Sequence, residues 1–187
     1  IKRGVTLVDA VRDKYCSGVS GELECDMFIH TSSNRMLPVQ LVGQDSIIQQ
    51  QSVLDELKAV YLNGSEFSTM GPAGDVGKTI PRVSELDLSS TLVSSWQEVV
   101  KLSDELPKLR LLDISRNEIV WTSLEIPKTP IFQNLRSLIL NNCFFADWKT
   151  AMSVTSKIQG LAELHMAGNS IRDLQCEDII ASVGKVE

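Results

Sequence analysis

The chain has 187 residues, 43% apolar and 22% charged, with a formal net charge of −6. That length supports one domain with a sizeable core, or two small ones. The acidic balance argues against nucleic-acid binding by bulk electrostatics, and no run approaches the roughly 18 apolar residues that a membrane span needs.

The chain opens on IKRGVTLVDAV, with neither an initiator Met nor a signal-peptide apolar region, and reads as an excised piece of something longer. Residues 6–15 predict an amphipathic helix with Thr6 as N-cap and Leu7, Val8, Val11 and Tyr15 on one side. Residues 23–30 and 37–42 predict the strands of a hairpin joined by the turn-rich TSSNR, with Pro38 at a strand start or an edge. Residues 45–55 predict a helix capped by Asp45, with Ile47, Ile48 and Leu54 turned inward. Residues 1–55 are thus expected to form an N-terminal capping region of helix, hairpin and helix.

From residue 56 onward the pattern changes. Leu109 to Ile119, LRLLDISRNEI, fits the repeat template L-x-x-L-x-L-x-x-N-x-L. Its first position recurs as Leu57, Val83, Leu109, Leu135 and Leu161, each 26 residues from the last. The fourth is Val60, Leu86, Leu112, Leu138 and Leu164. The sixth is Leu62, Leu88, Ile114, Leu140 and Met166, and the eleventh is Phe67, Val93, Ile119, Phe145 and Ile171. Alternation around positions four and six predicts one short strand per repeat with one face buried. The fold class that follows is an α/β leucine-rich-repeat solenoid: a right-handed parallel β/α superhelix of about five repeats, residues 56–187, behind an α+β cap.

The ninth position is Ser65, Thr91, Asn117, Cys143 and Asn169, where an inward turn buries backbone polar groups that these side chains can satisfy. Cys143 is therefore expected to be a ladder residue rather than a reactive thiol. Among the return segments, 95–105 predicts a helix with a Ser95–Glu98 capping box, and 147–158 a helix capped by Asp147 with Trp148, Met152 and Ile158 inside. Trp96 and Trp148, two periods apart, are expected to be equivalent packing residues. Residues 173–183 predict a further helix. The Gly-rich 68–79 and the Pro-containing 120–132 predict irregular loops. The next first position would fall at residue 187, so the solenoid is expected to continue beyond it.

No catalytic constellation stands out. His30 and His165 are far apart, Gly71, Gly74 and Gly77 lack the strand and helix of a phosphate cradle, and neither cofactor nor metal is implied. Cys16, Cys25, Cys143 and Cys176 show no C-x-x-C spacing, which favours a reducing intracellular compartment, and the sequon Asn63-Gly64-Ser65 reads as a chance match. A repeat solenoid usually binds through its concave sheet. Positions three, five and seven project there: Ala59, Tyr61 and Asn63; Glu85, Asp87 and Ser89; Leu111, Asp113 and Ser115; Ser137, Ile139 and Asn141; Glu163, His165 and Ala167. Of these, Tyr61, Glu85, Asp87, Leu111, Asp113, Ile139, Glu163 and His165 are the candidate partner-binding residues. Glu85, Asp87 and Asp113 form an acidic cluster beside a small apolar spot of Leu111 and Ile139.

The run VGQDSIIQQQSVLDELKAVYL (Val42 to Leu62), followed by VSELDLSSTLVSSWQEVVKLSDELPKLRLLDISRNEI, resembles the tubulin-folding cofactor E family. The likeness covers nearly the whole chain, and the Q-rich lead-in joined to DLSSTLVSSW is its more specific part. The resemblance implies a cytoplasmic, cytoskeleton-associated tubulin chaperone that binds α-tubulin. With other tubulin-folding cofactors and a small Arf-like GTPase, it would assemble or take apart the αβ-tubulin heterodimer. It also implies a CAP-Gly domain before the repeats and a ubiquitin-like domain after them, neither of which lies in this sequence. The alternatives are a cofactor-E-like tubulin-destabilising protein, a generic repeat adaptor, or a GTPase activator of the repeat class, for which no positioned Arg or Asn stands out.

Overall fold

Every 26 residues the chain extends for three residues, and these short segments lie side by side as one parallel sheet. The computed structural model describes residues 4–16, 28–30, 36–38, 54–121 and 128–171. In chain order these hold α1 (Leu7–Cys16), β1 (Phe28–His30), β2 (Met36–Pro38), a 3-10 turn at Leu54–Glu56, β3 (Ala59–Tyr61), α2 (Asp75–Thr79), β4 (Glu85–Asp87), α3 (Trp96–Val100), α4 (Leu102–Glu105), β5 (Leu111–Asp113), β6 (Ser137–Ile139), α5 (Trp148–Thr155) and β7 (Glu163–His165). Strands β3 to β7 pair in sequence order, and each residue lies opposite the one 26 further on, as Val60, Leu86, Leu112, Leu138 and Leu164 do. The solenoid read from the repeat template is the fold.

The core is built from columns of equivalent side chains. At position four Val60, Leu86, Leu112 and Leu138 are buried, and at position six Leu62, Leu88, Ile114 and Leu140. Phe67, Val93, Ile119 and Phe145 close the far end of each turn. No single repeat could bury its apolar face alone, so each column is shared between neighbours. Burial of one such side chain stabilises by roughly 1.5–3 kcal/mol. Leu164, Met166 and Ile171 of the last described repeat only pack partly against this core.

Polar groups join the repeats at position nine. Asn117 is fully buried. Its Nδ2 donates to the carbonyls of Leu88 and Ile114, both at 2.8 Å, while its Oδ1 accepts from the N–H and the hydroxyl of Thr91, both at 2.9 Å. Asn169 repeats the pattern: Nδ2 donates to Leu140 and Met166, and Oδ1 accepts from the N–H of Cys143. Between them the Cys143 thiol donates to the Ile114 carbonyl at 3.3 Å, and burial pushes its pKa up to about 11. Cys143 is a ladder residue, as its position implies.

The residue just before the ladder is held left-handed in every repeat: Gly64 (φ 74), Ser90 (55), Arg116 (58), Asn142 (54) and Gly168 (71). This turn redirects the chain inward after each strand. Only at Gly64 and Gly168 does glycine remove the steric cost of that conformation.

Several expectations need correction. Ser95 and Glu98 do not form a capping box. The Ser95 hydroxyl donates to Gln97, and Glu98 reaches across to accept from the Thr69 hydroxyl (2.8 Å) and the Met70 N–H (3.1 Å) of the preceding repeat. Burial works against ionising Glu98, but bonds from Lys101, Thr69 and Met70 outweigh it and lower its pKa. The 95–105 helix is split at Lys101 into α3 and α4. Asp147 does cap its helix, accepting from the Thr150 N–H at 2.7 Å, yet α5 buries Ala151, Val154 and Thr155, with Trp148 and Met152 only half-buried. Trp96 is buried and pairs instead with Trp121 (ring centroids 6.0 Å apart), which stacks on Phe145 at 3.9 Å and donates its Nε1–H to the Cys143 carbonyl. Trp96 and Trp148 are thus not equivalent in burial. The Gly-rich 68–79 ends in the short helix α2 rather than remaining irregular.

Toward the N-terminus, Thr6 caps α1 as expected. Its hydroxyl accepts from the Asp9 N–H, and the Asp9 carboxylate accepts in return from the Thr6 N–H and hydroxyl. The Thr6 N–H above all lowers the pKa of Asp9. Strands β1 and β2 form the predicted antiparallel hairpin, with Phe28 opposite Pro38; the described sheet has two strands, so Pro38 lies on an edge strand, one of its two expected places. The remainder of both hairpin strands, residues 45–53 of the second helix and the 173–183 helix lie outside the described residues.

Two substitutions test this construction by urea unfolding. Leu112→Ala empties a central core site and is expected to cost about 2–5 kcal/mol. Gly64→Ala meets no atom within 4 Å, so its cost is that of the left-handed backbone, about 1–2 kcal/mol, and Gly64→Asn should cost less.

Candidate functional site

Residues at positions three and five point away from the core and form two rows across the sheet. The register places Ala59, Glu85, Leu111, Ser137 and Glu163 in one row, and Tyr61, Asp87, Asp113, Ile139 and His165 in the other. All eight candidate residues lie on this open face. Tyr61, Glu85, Glu163 and His165 are exposed, while Asp87, Leu111, Asp113 and Ile139 are half-buried. Asp87 and Asp113 stand directly opposite one another, and Glu85 stands opposite Leu111. The acidic cluster is therefore contiguous. The apolar pair Leu111 and Ile139 lies on neighbouring strands, one same-face position apart.

The carboxylates are not equivalent. Asp87 accepts from the Ser89 N–H and Asp113 from the Ser115 N–H, both at 2.8 Å, so each shapes its own turn. Glu85 bonds instead to the Tyr61 hydroxyl at 3.4 Å. The negative charge of Glu85, the largest influence on it, holds the Tyr61 phenol above its ordinary pKa. One side chain of this face thus reports on the charge of its neighbour.

Position seven does more than the template signals. The Ser115 hydroxyl accepts from the Asn141 N–H at 3.2 Å, and Asn141 Oδ1 accepts from the Ala167 N–H at 2.7 Å. This is a second ladder, parallel to the one at position nine. The polar run Asn63, Ser89, Ser115, Asn141 was its only trace in the sequence. The sequence pointed to a cap in residues 1–55 but not to which of its elements meets β3, and α1 does. The Tyr15 hydroxyl accepts from the Tyr61 N–H at 3.0 Å, and Lys14 Nζ donates to the Tyr61 carbonyl at 2.6 Å. These bonds satisfy the outer side of the first repeat strand and hold Tyr61 at one end of the open face.

No family model matches the chain. Among curated proteins it is 32% identical over 171 residues to tubulin-folding cofactor E of Arabidopsis thaliana, covering 91% of this chain and 32% of that protein. It is likewise 32% identical over 168 residues to tubulin-specific chaperone E of Homo sapiens, covering 90% of this chain and 31% of that protein. These relatives are tubulin chaperones. The likeness to cofactor E carried by Val42–Leu62 and the repeats after it is borne out along nine tenths of the chain. The chain spans about a third of the length of the curated relatives it matches. Among solved structures, an internalin from Listeria monocytogenes aligns with a TM-score of 0.46 at 17% identity, covering 90% of this chain and 44% of the internalin. Among the described residues no helix is long and apolar enough to cross a membrane, and no group of three His, Cys, Asp or Glu is placed to hold a metal ion.

The Tyr61–Glu85 contact is open to a spectroscopic check. Glu85→Gln removes the charge that opposes tyrosinate formation, so the Tyr61 titration should move down toward the ordinary tyrosine range in an absorbance pH titration. Subtracting a Tyr61→Phe trace isolates its contribution from that of Tyr15. An unmoved titration would separate Tyr61 from Glu85.

Proposed function

We propose that this chain is the protein-binding repeat domain of a tubulin chaperone, contributing to α-tubulin binding and to assembly or disassembly of the αβ-tubulin heterodimer. The observation that carries the reading is the 32% identity to cofactor E over nine tenths of the chain. In this reading residues 1–55 cap the stack and residues 56–187 form the repeats that meet the partner. The domain works by binding and not by catalysis, in the cytoplasm and with the cytoskeleton. Other tubulin-folding cofactors and a small Arf-like GTPase complete the assembly.

The contact surface in this reading is the open face of the sheet: Tyr61, Glu85, Asp87, Leu111, Asp113, Ile139, Glu163 and His165. Its make-up supports a protein partner, because a half-buried apolar pair lies beside a patch of unneutralised carboxylates. Such a patch selects a basic or polar complementary surface and steers its approach. Strand-borne side chains present that pattern with little entropy left to lose on binding.

Charge reversal at Asp87 and Asp113 would also remove the acceptors of the Ser89 and Ser115 N–H groups. Asp87→Asn with Asp113→Asn keeps an acceptor oxygen and removes the charge alone. Together with Glu85→Gln, this variant is expected to bind α-tubulin about fivefold more weakly in a pull-down or biosensor titration, with an unchanged thermal melt. Full affinity would move the contact off the open face. Failure of the parental chain to bind any tubulin form would overturn the function itself, and with it the cofactor-E-like tubulin-destabilising alternative, leaving a general repeat adaptor.

A further inference from the structure

We propose that the strand-entry edge of the sheet is a docking groove for an extended acidic peptide. The argument starts from the residue just before each strand. The Lys58 carbonyl accepts from the N–H groups of Ser84 and Glu85, the Ser84 carbonyl from Arg110 and Leu111, and the Arg110 carbonyl from Arg136 and Ser137. These forked bonds lock Lys58, Ser84, Arg110 and Arg136 side by side on successive strands. Strands lie about 4.8 Å apart, so the backbones of Lys58 and Arg110 stand about 10 Å apart.

A groove of about 540 Å³ runs along this edge, lined by Lys58, Arg82, Ser84, Pro107, Lys108, Arg110 and Asn134. Arg82 is already engaged, donating to Glu56 at 2.6 Å. Lys58, Lys108 and Arg110 are exposed and make no ion pair among the described residues. The chain carries 24 Asp and Glu against 18 Lys and Arg, yet among the described residues no carboxylate lines this groove. Among the described residues charge is therefore segregated: cations without an ion pair at the strand-entry edge, carboxylates without one on the adjoining open face.

That segregation selects the occupant. Alternate side chains of an extended peptide recur about every 6.8 Å on one side, so two or three carboxylates span the three unpaired cations. A short peptide can use the edge without crossing the face that holds Glu85, Asp87 and Asp113. A long polyphosphate would run on into that face and against a chain of net charge −6. The groove thus fits an acidic peptide better than a nucleic acid.

The test is fluorescence anisotropy of a labelled peptide of alternating Glu and Ser, about ten residues long, titrated with the full chain. Binding is expected at low salt, with marked weakening toward molar salt and none for the Gln-for-Glu peptide. Lys58→Glu with Lys108→Glu and Arg110→Glu should weaken it at least about tenfold, while Lys149→Glu with Lys157→Glu, near the return helix α5, should leave it unchanged. A thermal melt checks folding; if the triple reversal does not fold, the triple Gln variant replaces it and should also lose affinity. Absence of peptide binding, or equal binding by wild type and the edge variants, overturns the proposal. So does a single-stranded oligonucleotide that binds more tightly than the peptide and is lost in the same variants. The assay contains no tubulin, so its outcome is independent of the chaperone reading.

Discussion

The N–H of Thr91 would be buried and unpaired if Asn117 were apolar, and the carbonyls of Leu88 and Ile114 would each lose a donor, keeping only the Thr91 hydroxyl and the Cys143 thiol. An orphaned N–H of that kind costs roughly 1–3 kcal/mol, more than one bond between exposed groups returns. One amide side chain meets all three groups, and two of the three belong to the preceding repeat. The ladder is thus an inter-repeat joint as well as a local one. It sets the register that the core columns then fill. Leu88, Ile114 and Leu140 stack because Asn117, Cys143 and Asn169 hold their turns in line.

That joint also leaves one side of the sheet free. Once the core side of each strand is committed to the columns and the turn to the ladder, positions three and five carry no packing duty and can hold whatever a partner needs. The chain uses this freedom unevenly. Carboxylates gather on the first repeats of the open face, apolar side chains on the middle ones, and cations (Lys58, Arg110 and Arg136) just before three of the five strands. The same strands therefore present two chemically opposed surfaces, separated only by the direction in which consecutive residues point.

Much of this was legible because a repeat writes the same physical demand several times. Period, strand positions, core columns and the ladder role of Cys143 all follow from equivalent residues 26 apart. Membership of the open face was legible for the same reason, since alternation alone decides which side a strand residue takes. What could not be read depends on contacts between non-equivalent residues. Glu98 satisfies a capping pattern locally, yet Thr69 and Met70 of the previous turn offer it more donors. Trp121 sits in a stretch rich in turn residues and still closes the convex side, because its indole finds both Phe145 and a free carbonyl. Asp87 and Asp113 read as surface charges, but their turn bonds appear only once the backbone of Ser89 and Ser115 is placed.

The two bonds from Tyr15 and Lys14 to the backbone of Tyr61 carry a consequence for the molecule's behaviour in company. β3 is the terminal strand of its sheet, and an uncovered terminal strand offers unpaired backbone to any passing chain as a template. α1 closes that template with side-chain groups instead of another strand. It acts as a guard on that edge, and because Leu7, Val8 and Val11 of the same helix are buried in the repeat core, edge and core are closed by one element.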